Sequence, residues 1–260
     1  MPSIAPVPER EEETGGASQG SRWVVLPTYD EAGNIEAMVE AVSHRLARGD
    51  RILIVDDDSP DGTGRIADRL AGENDLVEVL HRTGKAGLGP AYVSGFERAL
   101  AGGAGLVVQM DADFSHDPAT LPVLFEAAAR ADLVLGSRYV EGGEVTEWGR
   151  VRRLLSRGGN LYSRAVLGLS LMDLTGGLKC WRADALRAVE FETVDLSGYG
   201  FQVELTYRAV QAGLDVVEVP ITFRERTVGE SKMSGRIIGE AVLGVPALRF
   251  GLRRWPQRAR

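Results

Sequence analysis

Cysteine is nearly absent: Cys180 is the only one in 260 residues, so no internal disulfide can form and a disulfide-stapled secreted scaffold is excluded. Set between Lys179 and Trp181 in an apolar neighbourhood, that thiol reads as buried and structural rather than nucleophilic. Histidine is scarce too, and three scattered His with one Cys do not make a zinc site. Positive charge is in deficit. A net charge of −7 argues against bulk nucleic-acid binding, which sets many Lys and Arg against phosphate. Residues 1–20, rich in Pro, Glu, Gly and Ser, lack an apolar run and are neither signal peptide nor membrane anchor. They are expected to be a disordered leader, on a chain that stays in the cytoplasm. What is present is an ordinary globular composition, 44% hydrophobic and 26% charged, sufficient for a sizeable core.

The middle of the chain alternates apolar runs with helical patterns. Trp23 to Leu26, Ile52 to Val55, Val77 to Leu80, Leu106 to Met110 and Leu133 to Leu135 read as buried strands. Between them, 34–46, 63–70, 88–100 and 121–129 carry apolar residues at helical spacing. The alternation implies an α/β fold, a mainly parallel sheet with helices on both faces. Ligands then bind beyond the carboxyl ends of the strands. Polar clusters stand at those ends: Pro27 to Glu31, Asp56 to Asp58, and Asp111-Ala112-Asp113. Past Gly136 the pattern fades into a Gly- and Arg-rich stretch, 142–159. A helix from Tyr199 to Ala212, a pair of strands (216–219 and 221–223) and a tail follow. No internal repeat is visible.

Asp111 and Asp113 are one residue apart at a strand end. In extended backbone i and i+2 point the same way, so both carboxylates can face one ion. Hard oxygen ligands suit Mg2+ or Mn2+, which could neutralise a departing diphosphate; the alternative is a solvated acidic turn. Asp56 to Asp58 are either a turn before a helix capped by Asp61 or Thr63 or acceptors for a base or ribose. Gly84 to Gly89 can bring backbone N–H groups near phosphate, although it matches neither a P-loop nor a Rossmann fingerprint.

Taken together, VVLPTYDEAGNI (24–35), ILIVDDDSPDGT (52–63), GKAGLGPAYVSGF (84–96), VVQMDADFSHDP (107–118), LGSRYVEGG (135–143), LLSRGGN (154–160) and FRERTVGESKM (223–233) resemble the family 2 glycosyltransferases with a GT-A fold. More closely, they resemble the polyprenol (dolichol) phosphate mannose synthases. The resemblance implies a GT-A domain over 21–235, between the leader 1–20 and a tail 236–260. It implies that Pro27, Tyr29, Glu31, Val55 and Asp57 hold the guanosine part of GDP-mannose. Asp111, Ala112 and Asp113 would hold its diphosphate through Mg2+ or Mn2+. Where the family often has Gln, this chain has Ser115 as third ligand, with a water or His116 as substitutes. Arg226 and Lys232 match a basic pair directed at the diphosphate and sugar, and Gln202 falls near another donor contact.

On the acceptor side the resemblance assigns Arg138, Arg152 and Ser156 to the phosphate of a polyprenyl lipid, a task suited to the planar Arg fork. The catalytic set is Asp113, Arg138 and Arg226. Glycines 136, 142, 143, 149, 158 and 159 suit a mobile lid. In the tail Ile238, Val242, Val245, Leu248, Leu252 and Trp255 recur at helical spacing with Arg249 and Arg253 on another face, and Pro246 is expected to kink or divide the helix. The run is too short to span a bilayer, which takes about 20 residues. It reads either as an interfacial helix placing the protein on the inner membrane face or as a helix closing over the core. An integral-membrane partner is the other way to meet a lipid. The implied reaction is inverting transfer of mannose to polyprenyl phosphate, releasing GDP. A phosphate with a second pKa of about 6 needs no side-chain base to attack. The rival expectations are another donor, such as UDP-glucose, and a non-catalytic nucleotide-sugar-binding module.

Overall fold

The computed structural model describes residues 20–194, 196–225 and 235–250. The expected leader disorder, the basic pair Arg226 and Lys232, and Leu252, Arg253 and Trp255 lie outside the described residues. In the first half β1 (Ser21–Thr28), α1 (Ile35–Ser43), β2 (Arg51–Asp56), α2 (Thr63–Glu73), β3 (Val77–His81), α3 (Leu88–Ala101), β4 (Ala104–Gln109), α4 (Leu121–Ala127) and β5 (Leu133–Ser137) alternate as the sequence pattern predicts. Burial explains the pattern. Val24, Val25 and Leu26 are all fully buried, because a parallel strand covered on both faces has no solvent side.

The remaining elements are β6 (Glu144–Val145), α5 (Arg150–Leu167), β7 (Lys179–Arg182), α6 (Ala183–Ala188), α7 (Gly198–Gln211), β8 (Val216–Pro220), β9 (Thr222–Phe223) and α8 (Gly235–Arg249). Seven strands form the main sheet in the order β3-β2-β1-β4-β7-β5-β8. Only β7 runs antiparallel to its neighbours, β4 and β5. Alternate residues of the strands face opposite cores. Val24, Ile54 and Val108 pack toward α1, α2 and α4, whereas Val25, Leu53, Val107 and Trp181 pack toward α3, α6 and α7. Helix α3 lies so close to the sheet at Gly95 that a Cβ there would come 2.4 Å from Val25 Cγ1.

Three expectations are corrected. The strands at 216–219 and 221–223 do not pair with each other: β8 extends the main sheet beside β5, and β9 joins β6 in a separate two-stranded sheet. The Gly- and Arg-rich stretch is helical from Arg150 onward; Gly158 and Gly159 are exposed in mid-helix, with no neighbour within 4 Å of an added Cβ. Helix α8 runs through Pro246 without dividing. A proline at 246 has no N–H for the Val242 carbonyl, four residues back. The Tyr162 hydroxyl donates to that carbonyl instead, at 2.6 Å, tying α5 to α8.

The described part of the tail packs on the rest of the chain, where α8 meets α5 and α7. Val245 is buried with Leu167, Leu174, Val203 and Tyr207, while Leu243 stands 78% exposed. Among the described residues no helix is long and apolar enough to cross a membrane.

Candidate active site

The sheet order changes direction between β1 and β4, since the chain runs outward from β1 through β2 to β3 and returns to add β4 on the other side. The carboxyl ends of such a pair leave a crevice. A cleft of about 560 Å³ opens there, within the range of small-ligand sites, and its wall includes Pro27, Tyr29, Glu31, Asp57, Asp111 and Asp113. The other cleft-lining residues predicted from sequence are Ala112, Ser115, Arg138, Arg152 and Gln202. A concavity of about 550 Å³ at the opposite end of the strands, around Arg22, Arg48 and Asp50, holds none of them.

Two predicted residues stand elsewhere. Val55 is fully buried in the core beneath α3, and its carbonyl accepts from Thr28 Oγ1 at 3.3 Å. As the next-to-last residue of β2 it points into packing, and Asp57, two residues on, reaches the cleft. Ser156 does not line the cleft; its hydroxyl oxygen accepts from Tyr139 OH at 2.8 Å.

The three successive aspartates divide their work. Asp56 is buried and accepts from Ser59 Oγ at 2.6 Å, bracing the turn. Asp58 is exposed in a left-handed conformation, φ 57°. Asp57 faces the cleft and pairs with Arg82 Nη1 at 2.5 Å. Asp61 accepts from Thr63 N at the start of α2 and from Ala32 N, locking the loop after β1 to that helix. Lys85, from the Gly-rich loop, lies 3.6 Å from the centroid of the Tyr29 ring.

The premise that Asp111 and Asp113 share a face of an extended strand is corrected. Strand β4 ends at Gln109, and the chain bends through 112–115 with Phe114 at φ 59°. That bend, rather than strand alternation, delivers both acids to the cleft. Asp111 Oδ1 accepts from the Tyr92 hydroxyl at 3.2 Å. Burial first, and the Asp111 carboxylate second, hold that phenol well above its usual pKa, so it stays a donor. Asp113 Oδ1 accepts from the backbone N–H and, at 2.6 Å, from the hydroxyl of Ser115. Ser115, predicted as a metal ligand, thus braces Asp113.

His116 is buried with neither ring nitrogen hydrogen-bonded, and its Nδ1 lies 3.8 Å from Asp111 Oδ2. Burial lowers its pKa, which keeps the imidazole neutral and its lone pair available. Gly177 completes the cradle, since a Cβ there would sit 3.3 Å from Asp111 Oδ2. Two carboxylates beside an orphaned imidazole fit a hard divalent ion. Among the described residues no group of three or more His, Cys, Asp or Glu is placed to hold a metal ion by itself.

The opposite wall is basic, but its arginines are already engaged. Arg138 is buried and forked onto Asp173, with Nε and Nη2 each 2.7 Å from a carboxylate oxygen. Burial alone would raise the Asp173 carboxyl, but the guanidinium outweighs it and holds it below the usual range. The Arg138 pKa is raised correspondingly despite its own desolvation. Asn160 of α5 donates to Thr175 Oγ1 at 3.0 Å and accepts from Leu174 N at 2.9 Å, so α5 is bolted to the loop bearing Asp173. Arg152 pairs with Glu225 at 2.6 Å and lies 4.4 Å over the Trp148 ring.

Asp173, Tyr92, Trp148 and Glu225 escaped the sequence reading. Their partners lie 19 to 73 residues away in sequence where paired by hydrogen bonds, and no local signal marks them. Nearer the surface, α5 exposes Val151, Leu154, Leu155 and Leu161, and α8 exposes Val242 and Leu243.

Comparison with known proteins identifies the family and the fold. The profile described as "Glycosyl transferase family 2" matches residues 23–189. The undecaprenyl-phosphate mannosyltransferase of Micrococcus luteus is 49% identical over 232 residues, 89% of this chain and 94% of that protein. The polyprenol monophosphomannose synthase of Mycolicibacterium smegmatis is 48% identical over 239 residues, 91% of this chain and 89% of that protein. Glucosyl-3-phosphoglycerate synthase from Mycobacterium tuberculosis, solved with Mn2+, UDP and glucosyl-3-phosphoglycerate, superposes with a TM-score of 0.66 at 21% identity, covering 89% of this chain and 80% of that one.

Proposed function

The chain belongs to glycosyl transferase family 2, and from that premise we propose that it moves mannose from GDP-mannose to a polyprenyl phosphate, with inversion at the anomeric carbon. The observation that carries the reading is the two-sided cleft: acids Asp57, Asp111 and Asp113 line one part and arginines Arg138 and Arg152 another. Such a cleft suits two anionic partners that would otherwise repel. The names of the 48–49% identical relatives add the mannosyl group and the polyprenyl phosphate.

In this reading Asp111 and Asp113 hold Mg2+ or Mn2+, with His116 beside them. A bound divalent ion supplies charge neutralisation for the departing diphosphate. Tyr92 and Ser115 fix the acids, which limits reorganisation when charge develops. Arg226 and Lys232 add positive charge on the donor side. The lipid phosphate is its own nucleophile, so the chain provides placement rather than a general base. Asp173 holds Arg138 with one edge of its fork occupied, and Trp148 supports Arg152.

The lipid is met at a membrane surface by α5 and α8. Exposed Leu154 (73%) and Leu243 (78%) stand on two helices that touch each other. Exposed Arg150, Arg153 and Arg157 on α5 suit anionic headgroups. The test is incubation of purified protein with GDP-mannose, Mn2+ and a short-chain polyprenyl phosphate, followed by analysis of the lipid extract. Mannosyl phospholipid is the expected product; product from UDP-glucose alone would replace the donor, and GDP release without lipid product would remove the acceptor.

A further inference from the structure

Behind Gln202, which lines the cleft, runs a buried amide chain in which the reaction above gives Gln109 no work. Strand register sets Gln109 of β4 opposite Lys179 of β7, and Val107 opposite Trp181. Strand alternation therefore turns Gln109, Lys179 and Trp181 together toward α7. All three are fully buried. Trp181 Nε1 donates to Gln109 Oε1 at 2.8 Å, and Gln109 Nε2 donates to Gln202 Oε1 at 3.2 Å.

The direction of this chain follows from one group. An indole N–H can only donate, so it demands the oxygen of Gln109. That leaves the Gln109 NH2 facing α7, where it demands the oxygen of Gln202. The orientation of both amides, ordinarily ambiguous by a half-turn, is therefore set by Trp181. What remains is Gln202 Nε2, buried and without a hydrogen-bond acceptor, on a residue that lines the cleft. Slippage of the helix is prevented, because the Gln202 carbonyl accepts from Lys179 Nζ at 2.6 Å and from Thr206 Oγ1 at 3.0 Å.

We propose that Gln109 is a positioning residue: held by the Trp181 indole, it turns the Gln202 amide so that its NH2 group donates to an oxygen of the bound nucleotide-sugar. Gln109 stands two residues before Asp111, so the amide it orients belongs to the end of β4 that carries the acid pair, on the donor side. A buried NH2 without an acceptor is a standing cost to the empty protein, and a sugar or diphosphate oxygen removes it. This rests on the donor reading given above.

The test inverts the relay. Gln109→Glu still accepts from Trp181 but offers Gln202 a second acceptor, drawing its NH2 inward and leaving its carbonyl oxygen toward the substrate. The expected result is a rise of about tenfold in KM for GDP-mannose, with KM for undecaprenyl phosphate changed by less than about twofold. In a Gln202→Leu background the same substitution should do nothing more, as residues acting through one group are not additive. Multiplying losses in the double variant, or an unchanged donor KM, overturn the proposal. Should the buried carboxylate prevent folding, Gln109→Met breaks the relay without a charge, and the same non-additivity with Gln202→Leu is required. If the wild-type chain makes no mannosyl lipid, the proposed function fails instead. The relay is then judged on the 15N-labelled Trp181 indole resonance, which Gln109→Met must shift; an unmoved resonance overturns it.

Discussion

The two walls of the cleft are built on different principles. The wall that the proposed reaction gives to the donor stands on β1, β2 and β4; Asp57 there is paired with Arg82, but the Asp111–Asp113 pair is oriented by neutral donors, Tyr92 for Asp111 and Ser115 for Asp113. The acceptor wall stands at β5 and α5, and its arginines are held by acids: Asp173 for Arg138 and Glu225 for Arg152. A neutral donor fixes the direction of a carboxylate without cancelling its charge. Ionic bracing fixes the direction of a guanidinium while cancelling part of its charge. In the proposed reaction, Arg138 and Arg152 therefore place the acceptor phosphate more than they attract it. An excess of bare arginine there would also draw the donor's diphosphate to the wrong wall.

The largest effect expected comes from the donor wall. Asp113→Asn should lower kcat by about 10³-fold, the scale for removing one preorganised charge-stabilising group, with the fold retained by circular dichroism. Next is the acceptor wall's inner pair. Asp173→Leu strands the buried Arg138 guanidinium and should cost about 3–5 kcal/mol in urea unfolding. An effect below about 1 kcal/mol would mean that the pair is solvated.

Smaller is the outer face. Leu154→Asp with Leu243→Asp should weaken partition to anionic vesicles by about tenfold or more, given roughly 1.5–3 kcal/mol per buried Leu. Turnover of a short, soluble acceptor should stay unchanged. Glu225→Gln comes lower. The pair is partly exposed, so stability should move by less than about 1 kcal/mol, while the freed Arg152 lowers the acceptor KM a few-fold.

Apart from these stands a pH effect from β7, the strand between β4 and β5. Burial lowers the Lys179 pKa to about 7 from its usual 10.5, so the folded chain sheds a proton that the unfolded chain keeps. Stability should therefore rise as pH climbs from about 7 toward 10.5, and Lys179→Met should flatten that rise.

The donor wall was largely legible in the sequence. Buried parallel strands print as unbroken apolar runs, and the residues that follow them sit at the cleft by topology alone. Val55 misled because the strand's last turn of alternation sends it inward. The acceptor wall was legible only in part. Gly158 and Gly159 each lower helix propensity by about 1 kcal/mol, and the outward leucines of α5 give no core stripe for periodicity to find. Strand β7 hid because it is only 4 residues long and because a buried lysine, Lys179, does not look like sheet interior. Asp173 could not be found because its partner Arg138 is 35 residues away and only the fold brings them together.

The proposed function depends above all on a divalent ion, held by Asp111 and Asp113, receiving the donor's diphosphate. The direct measurement is anomalous diffraction from Mn2+ in crystals grown with GDP-mannose. A manganese peak between those two carboxylates and the diphosphate is the predicted result, lost in Asp113→Asn. Diphosphate bound against Arg138 and Arg152, with no manganese at the acid pair, would contradict it.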